Sequence, residues 1–263
     1  MKHRDQKFLR KLDMFLLILF PIISVVSSLL LKANFLISIF LFLGLPSIYF
    51  SFRTPEQIKK TLAFALIVTV PFGILFDYIA TVGKAWFITS TVFPFRLFGV
   101  IPIEDFIFGF FLVYSIIIFY EHFLDKGKHE LVDKRMKYLL WPLIIFLLIF
   151  FIVIFTRPDL LVIPYAHFWT GIVFIFLPAI TFLSFFPRLL SKYVKIGSYF
   201  FILSLLFELT ALQLHQWSFP ASKYIGWVSL FGQRFPFEEL FFWLVLFSIG
   251  ILSYYEFFDD DRK

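Results

Sequence analysis

Apolar stretches of about 18 residues or more recur along the whole chain, and a helix of that length can cross the hydrocarbon core of a bilayer. Of the 263 residues, 60% are hydrophobic and only 16% are charged. A soluble domain of this length carries far more charge. The sequence therefore predicts an all-α integral membrane protein.

We predict eight transmembrane helices. Their predicted boundaries are residues 14–31, 35–52, 61–80, 102–120, 138–155, 165–186, 196–213 and 236–255. Eighteen of the 24 Lys and Arg residues fall in the termini and in alternate loops. By the positive-inside rule, this distribution predicts a multi-pass protein of the cell membrane with both termini in the cytoplasm.

One short motif, a proline followed by two adjacent carboxylates, occurs twice. Pro102-Ile103-Glu104-Asp105 returns as Pro236-Phe237-Glu238-Glu239, and each copy stands directly before a long run of Phe, Leu and Ile. A carboxylate at the edge of hydrocarbon is unfavourable, so a pair of them marks a candidate functional site.

Other features recur in the same order around the two motifs. An acid ends the preceding span, a tryptophan follows nine residues later, a Phe-Gly pair precedes the motif proline, and a tyrosine stands eighteen residues beyond it. These features are Asp77, Trp86, Phe98-Gly99 and Tyr120 in the first copy, and Glu208, Trp217, Phe231-Gly232 and Tyr254 in the second. We expect the two tyrosines to be anchors at the cytoplasmic membrane interface.

The recurrence predicts two tandem four-helix repeats, residues 1–125 and 138–263, joined by a charged cytoplasmic linker at 126–137. Because each repeat crosses the membrane four times, the two copies share one orientation. They are then related by a pseudo-two-fold axis along the membrane normal, and their acids lie at the same depth.

The four motif carboxylates, Glu104, Asp105, Glu238 and Glu239, are candidate catalytic residues. We expect Pro102 and Pro236 to occupy the first turns of the fourth and eighth spans, where proline is favoured. Consecutive helical residues point about 100° apart, so one acid of each pair can face the bundle interior and its neighbour a flanking helix or the loop. Burial, the helix dipole and the adjacent charge can together hold one carboxyl neutral and another ionised, as acid–base catalysis requires.

The acids and tryptophans that precede the motifs are candidate supporting residues. Asp77 and Glu208 are near enough in the topology to join the motif acids, and Trp86 and Trp217 are candidate substrate-binding residues. Two other interpretations stay open: the acids can be interfacial helix caps, and the tryptophans can belong to an interfacial aromatic belt. His215 is a weaker candidate for the second site.

The motifs that the sequence lacks exclude several classes of reaction and cofactor. The chain has no cysteine, which excludes disulfides, thiolate ligands and cysteine nucleophiles. Dinucleotide, phosphate-loop and aspartate-rich Mg²⁺ motifs are missing, and the histidines show no ligand spacing, so we expect no cofactor and no metal. The net charge of +6 follows the membrane topology rather than a nucleic-acid surface. The sequence indicates redox-neutral proton chemistry on a lipophilic substrate, with membrane lipids as the other partners and aromatic rings suited to a carbocation.

Taken together, these motifs resemble those of the flavin-independent carotenoid cyclases of the heterodimer-derived type, which include lycopene beta-cyclases of actinobacteria, archaea and fungi. The resemblance covers nearly the whole chain and rests on the order and duplication of Phe76-Asp77-x-x-Ala80-x-x-Gly83-x-Ala85-Trp86, Phe98-Gly99 and Pro102-x-Glu104-Asp105. It implies the fused form of such a cyclase, acting on lycopene or a related acyclic polyene. An acid protonates the terminal double bond, the neighbouring double bond closes a six-membered ring, and a base removes a proton. The resemblance gives these two roles to Glu104 with Asp105 and to Glu238 with Glu239.

Two departures from the family pattern make the halves unequal. Asp105 stands where the family usually has Glu, and the second copy has Glu208 where the first has Asp77. The sequence therefore leaves open whether one or both acid pairs are catalytic. A proton-coupled transporter, a non-catalytic lipid-binding protein, and a scaffold whose acids only mark helix starts are the alternatives from other classes.

Overall fold

The protein is mostly helical in a computed structural model that describes residues 2–89, 91–125, 136–221 and 223–258. Seven helical segments within these ranges are long and apolar enough to cross a membrane. They are Phe8–Leu31, Phe35–Arg53, Pro55–Val82, Ile103–Asp125, Ala166–Phe185, Pro187–Gln213 and Glu239–Glu256. The prediction of an all-α, multi-pass membrane protein is confirmed at this level.

The remaining predicted span, 138–155, corresponds to the helix Met136–Thr156. Within this helix, the apolar segment whose side chains are described is Ile144–Thr156, which is shorter than the seven segments above. Most of the predicted charged linker, residues 126–135, lies outside the described part of the chain.

Ten α-helices and six short strands are described. The helices are α1 (Lys2–Leu31), α2 (Phe35–Ile39), α3 (Leu45–Arg53), α4 (Ile58–Val82), α5 (Ile103–Tyr120), α6 (Met136–Thr156), α7 (Ala166–Gly171), α8 (Leu177–Phe185), α9 (Leu190–Gln213) and α10 (Phe247–Phe258). The strands are β1 (Phe87–Ile88), β2 (Arg96–Leu97), β3 (Ile101–Pro102), β4 (Trp217–Ser218), β5 (Trp227–Leu230) and β6 (Gln233–Pro236).

Wider π-helical turns occur in four of the described spans, and Glu121–Asp125 continues α5 in this form. Phe40–Gly44 joins α2 to α3, and Ile172–Phe176 joins α7 to α8. In both places the next two residues are Leu-Pro, and because proline has no N–H to donate, the regular hydrogen-bond ladder cannot continue through that turn. The longest such segment, Glu239–Leu246, leads into α10 and begins at a motif acid. Such turns are frequent at functional sites.

The strands form three antiparallel pairs in the loops between spans. β1 pairs with β4, β2 with β3, and β5 with β6. The turn of the β5–β6 hairpin is Phe231-Gly232, and both residues have positive φ, as a two-residue hairpin turn requires. Phe98-Gly99, between β2 and β3, also has positive φ at both residues. The β2–β3 and β5–β6 hairpins lead directly into the two proline–acid–acid motifs.

The motif prolines lie just outside the helices, which corrects the prediction that they occupy the first helical turn. Pro102 is the extended N-cap of α5 and pairs with Arg96 across the β2–β3 ladder. Pro236 ends β6 opposite Trp227. A proline at the end of a short edge strand does not interrupt the hydrogen bonds between the strands. Each motif proline can therefore belong to a hairpin rather than to the helix that follows it. Glu104 and Asp105 do lie in the first turn of α5, as predicted.

Aromatic side chains make up much of the core between α4, α5 and α9. Phe42 and Phe207 stack with ring centroids 4.6 Å apart, and Phe35 meets Trp217 edge-on at 5.4 Å. Offset and edge-to-face pairs of this kind add to the hydrophobic contribution of burial. The core therefore holds the segment Phe35–Gly44 against α9.

A buried polar cluster joins α4, the end of α5 and α10, at the ends of α5 and α10 remote from the motif acids. Tyr120 donates a hydrogen bond to Glu256, and Tyr255 donates one to Glu121. The ammonium of Lys60 lies 2.6 Å from a Glu121 carboxylate oxygen. All five side chains are buried, so the interfacial-anchor interpretation of Tyr120 is wrong. Tyr255, not Tyr254, makes the reciprocal contact to that of Tyr120. Tyr254 instead donates to the Phe174 carbonyl at 2.9 Å.

Replacing Lys60 by methionine is expected to destabilise the protein by about 3–5 kcal/mol, because it leaves the Glu121 carboxylate buried without its cation. Thermal unfolding of detergent-solubilised protein, followed by size-exclusion chromatography, measures the loss. Lys59→Met is the matched control, since Lys59 is exposed one residue away. Equal melting temperatures for the two variants would contradict the importance of this ion pair.

Candidate functional site

An apolar cavity lies between α4, α5, α7, α9 and the segment Glu239–Leu246. Its free space is about 160 Å³, roughly ten times what one water molecule needs. Phe and Leu dominate its wall, together with three tryptophans. The polar residues that line it are Thr69, Asp77, Asp105, His167, Thr170, Ser204, Glu208, Glu239 and Tyr254.

The four carboxyl residues gather at one end of this cavity. Asp77 and Glu208 lie five residues before the last residues of α4 and α9, and Asp105 is the third residue of α5. Glu239 is the first residue of its π-helical segment. Since the β-hairpins connect these helix ends, all four carboxyls belong to the hairpin side of the bundle. The other end of the cavity, near Val68 and Leu203, has no carboxyl among the described residues, and its polar groups are the hydroxyls of Thr69, Ser204 and Tyr254.

The first acid of each motif faces the loop that precedes its helix. Glu104 Oε1 accepts hydrogen bonds from the amides of Val92 at 2.6 Å and Phe93 at 2.9 Å. Glu238 Oε1 accepts one from the Ile225 amide at 2.5 Å. Both side chains are fully buried, and neither belongs to the cavity wall. Each carboxylate therefore fixes a loop that precedes its own helix.

The second acid of each motif faces the cavity instead. Asp105 and Glu239 both line it, with exposed fractions of 3% and 9%. The divergence within each pair follows from the 100° step between consecutive helical residues. Asp105 Oδ1 has no hydrogen-bond partner among the described residues. This carboxyl is thus available to a molecule in the cavity.

Two tryptophans close the carboxyl end of the cavity. Trp86 and Trp217 meet edge-on with ring centroids 5.7 Å apart, and the indole N–H of Trp217 donates to Glu208 Oε1 at 3.1 Å. Trp217 is 4% exposed. The interfacial-belt interpretation is therefore wrong for Trp217, and Trp86 is a cavity residue as well.

Local backbone geometry explains how the tryptophans reach this place. Lys84 and His215, each two residues before a tryptophan, have φ of 55° and end α4 and α9 in a left-handed turn. The amides of Ala85 and Gln216 then bond back to helix carbonyls at 2.7 and 2.9 Å, a common helix C-terminal arrangement.

The turns lead into β1 and β4, whose pairing sets Ile88 opposite Trp217. Tyr224, in the loop between β4 and β5, binds the turn after α4 by donating to the Ala85 carbonyl at 2.9 Å. Burial raises the pKa of Tyr224 well above its usual value, so its hydroxyl keeps its proton. The loop that follows α9 is therefore joined to the loop that follows α4 both through the β1–β4 pair and through this hydroxyl.

His167 is the site residue that sequence reasoning missed. It is the second residue of α7 and lines the cavity, and its Nε2 lies 2.6 Å from Glu239 Oε2. His215 was the weaker candidate for this region, but it is exposed and lies outside the cavity wall. The available signal was the one applied to the acids: an ionisable residue at the start of an apolar span.

The arrangement supplies proton donors and acceptors at one end of an apolar space. Among the described residues, no group of three or more His, Asp or Glu could hold a metal ion. Comparison of the chain with family models, with curated proteins and with solved structures gives no match. Function is therefore argued from the site itself.

Proposed function

We propose that this chain is a membrane-embedded cyclase that closes rings at the ends of an acyclic polyene such as lycopene, without net oxidation or reduction. The observation that carries the proposal is the cavity, an aromatic space with four carboxyls and a histidine at one end only. Its wall along α5 runs from Asp105 to Val113, roughly 12 Å at 1.5 Å per residue. An apolar chain that enters this space presents its terminus to ionisable groups.

The proposed reaction uses two of the cavity carboxyls. One carboxylic acid, from Asp105 or Glu239, gives its proton to the terminal double bond of the polyene. The neighbouring double bond attacks the resulting cation and closes the ring, and the other carboxylate removes a proton. The ring faces of Trp86 and Trp217 stabilise the positive charge between these steps. Glu104 and Glu238 support the reaction by holding the outer loops.

We further infer that the fold is two tandem four-helix repeats with both termini in the cytoplasm and eight spans in all. Support comes from features that occur in the same order in both halves. A π-helical turn precedes a Leu-Pro pair, a left-handed residue precedes a tryptophan, and a loop-binding glutamate precedes a cavity acid. Tyr120 and Tyr255 also make reciprocal bonds to the carboxylates of α10 and of the end of α5.

A proton-coupled transporter is the alternative that the sequence leaves open. A carboxylate relay needs polar groups along its whole path. The far wall of the cavity has no carboxyl among the described residues, and its polar groups are the uncharged hydroxyls of Thr69, Ser204 and Tyr254. The distribution of carboxyls therefore favours chemistry at one end over transport through the bundle.

Expression of the chain in lycopene-producing cells is expected to yield pigments of unchanged mass whose absorption moves to shorter wavelength, because the double bond left in each ring twists out of the plane of the polyene and shortens its conjugation. Liquid chromatography with absorbance and mass detection measures this, and cells with an empty vector are the control. Unaltered lycopene, with the protein verified in the membrane, would contradict the proposed substrate.

A further inference from the structure

The two halves of the chain carry different side chains at one pair of equivalent positions, of which only His167 lines the cavity. Five residues before each of the π-helical turns Phe40–Gly44 and Ile172–Phe176 stand Phe35 and His167. Phe35 is 1% exposed and packs edge-on against Trp86 and Trp217. An apolar ring therefore occupies in the first half the place that an imidazole takes in the second.

This difference changes the surroundings of one cavity carboxylate, that of Glu239. His167 Nε2 lies 2.6 Å from Glu239 Oε2, and the two side chains are 7% and 12% exposed. Glu208, by contrast, binds the indole N–H of Trp217, and Asp105 Oδ1 has no partner among the described residues. With its proton on Nε2, His167 donates to Glu239, and an N–H donor at hydrogen-bond distance favours the ionised form of a carboxylate. In that tautomer Glu239 is the better proton acceptor, and Asp105 the better donor.

We propose that His167 is the positioning residue of the proton-accepting step, and that Glu239, held by it, is the base that ends ring closure. This inference rests on the proposed cyclase function and gives it a direction. Asp105 in the first half donates, and Glu239 in the second half accepts. The cavity is then one site that treats one polyene end at a time, rather than two equivalent sites.

The step balances in protons and electrons. A C–H bond on a carbon beside the ring cation breaks, its electron pair becomes the ring double bond, and the proton passes to Glu239 Oε1. His167, with its proton on Nε2, holds Oε2 and so fixes which hydrogen Oε1 can reach. Since the choice of hydrogen decides where the double bond forms, His167 acts on the identity of the ring isomer as well as on the rate. One proton enters from Asp105 and one leaves to Glu239, so the product is an isomer of the substrate.

The test compares ring products of His167 variants in lycopene-producing cells, normalised to folded protein in the membrane. His167→Ala is expected to lower ring closure at least about tenfold, below the range for a whole acid–base group. It should also give a mixture of ring isomers or a product in which water has captured the cation. His167→Gln keeps an N–H donor near the Nε2 position and is expected to restore a single ring product. His215→Gln is the matched control, because His215 is exposed and outside the cavity.

A second variant keeps the test decisive if His167→Ala does not fold. Glu239→Gln retains an acceptor for the His167 N–H but cannot take a proton, so it should also give altered or water-captured products. If either folded variant makes the wild-type product at the wild-type rate, the inference about His167 and Glu239 is overturned and the proposed cyclase function is not. If the wild-type chain closes no ring, the proposed function and this inference fall together.

Discussion

Replacing Asp105 by asparagine is expected to lower ring closure at least about 100-fold, the usual contribution of one general acid or base. The amide has nearly the same volume as the carboxyl, so packing around it is kept, but it cannot deliver a proton to a double bond. Asp105 is 3% exposed and lines the cavity. Product per folded protein, measured by chromatography of cell pigments, reports the loss.

Two comparison variants show whether the loss is specific to Asp105. Asp159→Asn removes an exposed carboxylate outside the spans, whose bond from Arg157 lowers its pKa, and it should leave the product yield unchanged. Glu104→Gln keeps an oxygen that can accept from the Val92 and Phe93 amides, so its loss should be smaller than that of Asp105→Asn. A larger loss of product for Glu104→Gln than for Asp105→Asn would indicate that Glu104, and not Asp105, donates the proton.

The duplicated motif predicted two pairs of candidate acids, but the separate environments of the two acids in each pair depend on where the helices begin. The sequence predicted that adjacent acids diverge by about 100°. It could not say which one enters the cavity, because that depends on the rotation of α5 about its axis. The hairpin β2–β3, which ends at Pro102, sets that rotation. The sequence also did not predict the π-helical segment Glu239–Leu246, because wider turns leave no recognisable pattern of apolar residues.

His167 shows the other limit of sequence reasoning. It stands 72 residues before Glu239, and no spacing rule connects residues so far apart. Trp217 shows a third limit, since tryptophan is favoured both at membrane interfaces and in buried aromatic clusters, and only packing separates the two. Long apolar runs, in contrast, predicted the positions of the seven long apolar helices, because the length and apolarity that a membrane helix needs can be read directly from the sequence.

Replacing Gly171 by alanine is expected to destabilise the protein by about 2 kcal/mol or more, within the range for overpacked cores. A Cβ at Gly171 would lie 2.3 Å from Cγ of Phe242, and two further atoms of that side chain lie within 2.7 Å. Gly171 is one helical turn after His167, and Phe242 is three residues after Glu239. The clash therefore also pushes apart the two segments that hold the 2.6 Å bond between His167 and Glu239.

Gly109→Ala is the matched control for Gly171→Ala. Its Cβ would meet only the Thr69 methyl, at 3.2 Å, while a helical Gly→Ala change gains up to about 1 kcal/mol of propensity. Gly109→Ala is thus expected to melt at or above the wild-type temperature. Gly171→Ala should melt about 4–8 °C lower, given about 2–4 °C per kcal/mol for a chain of this size, and should close rings more slowly. Equal melting temperatures would mean that α7 and the Glu239–Leu246 segment can separate freely, in which case the close approach at Gly171 does not hold Glu239 in place.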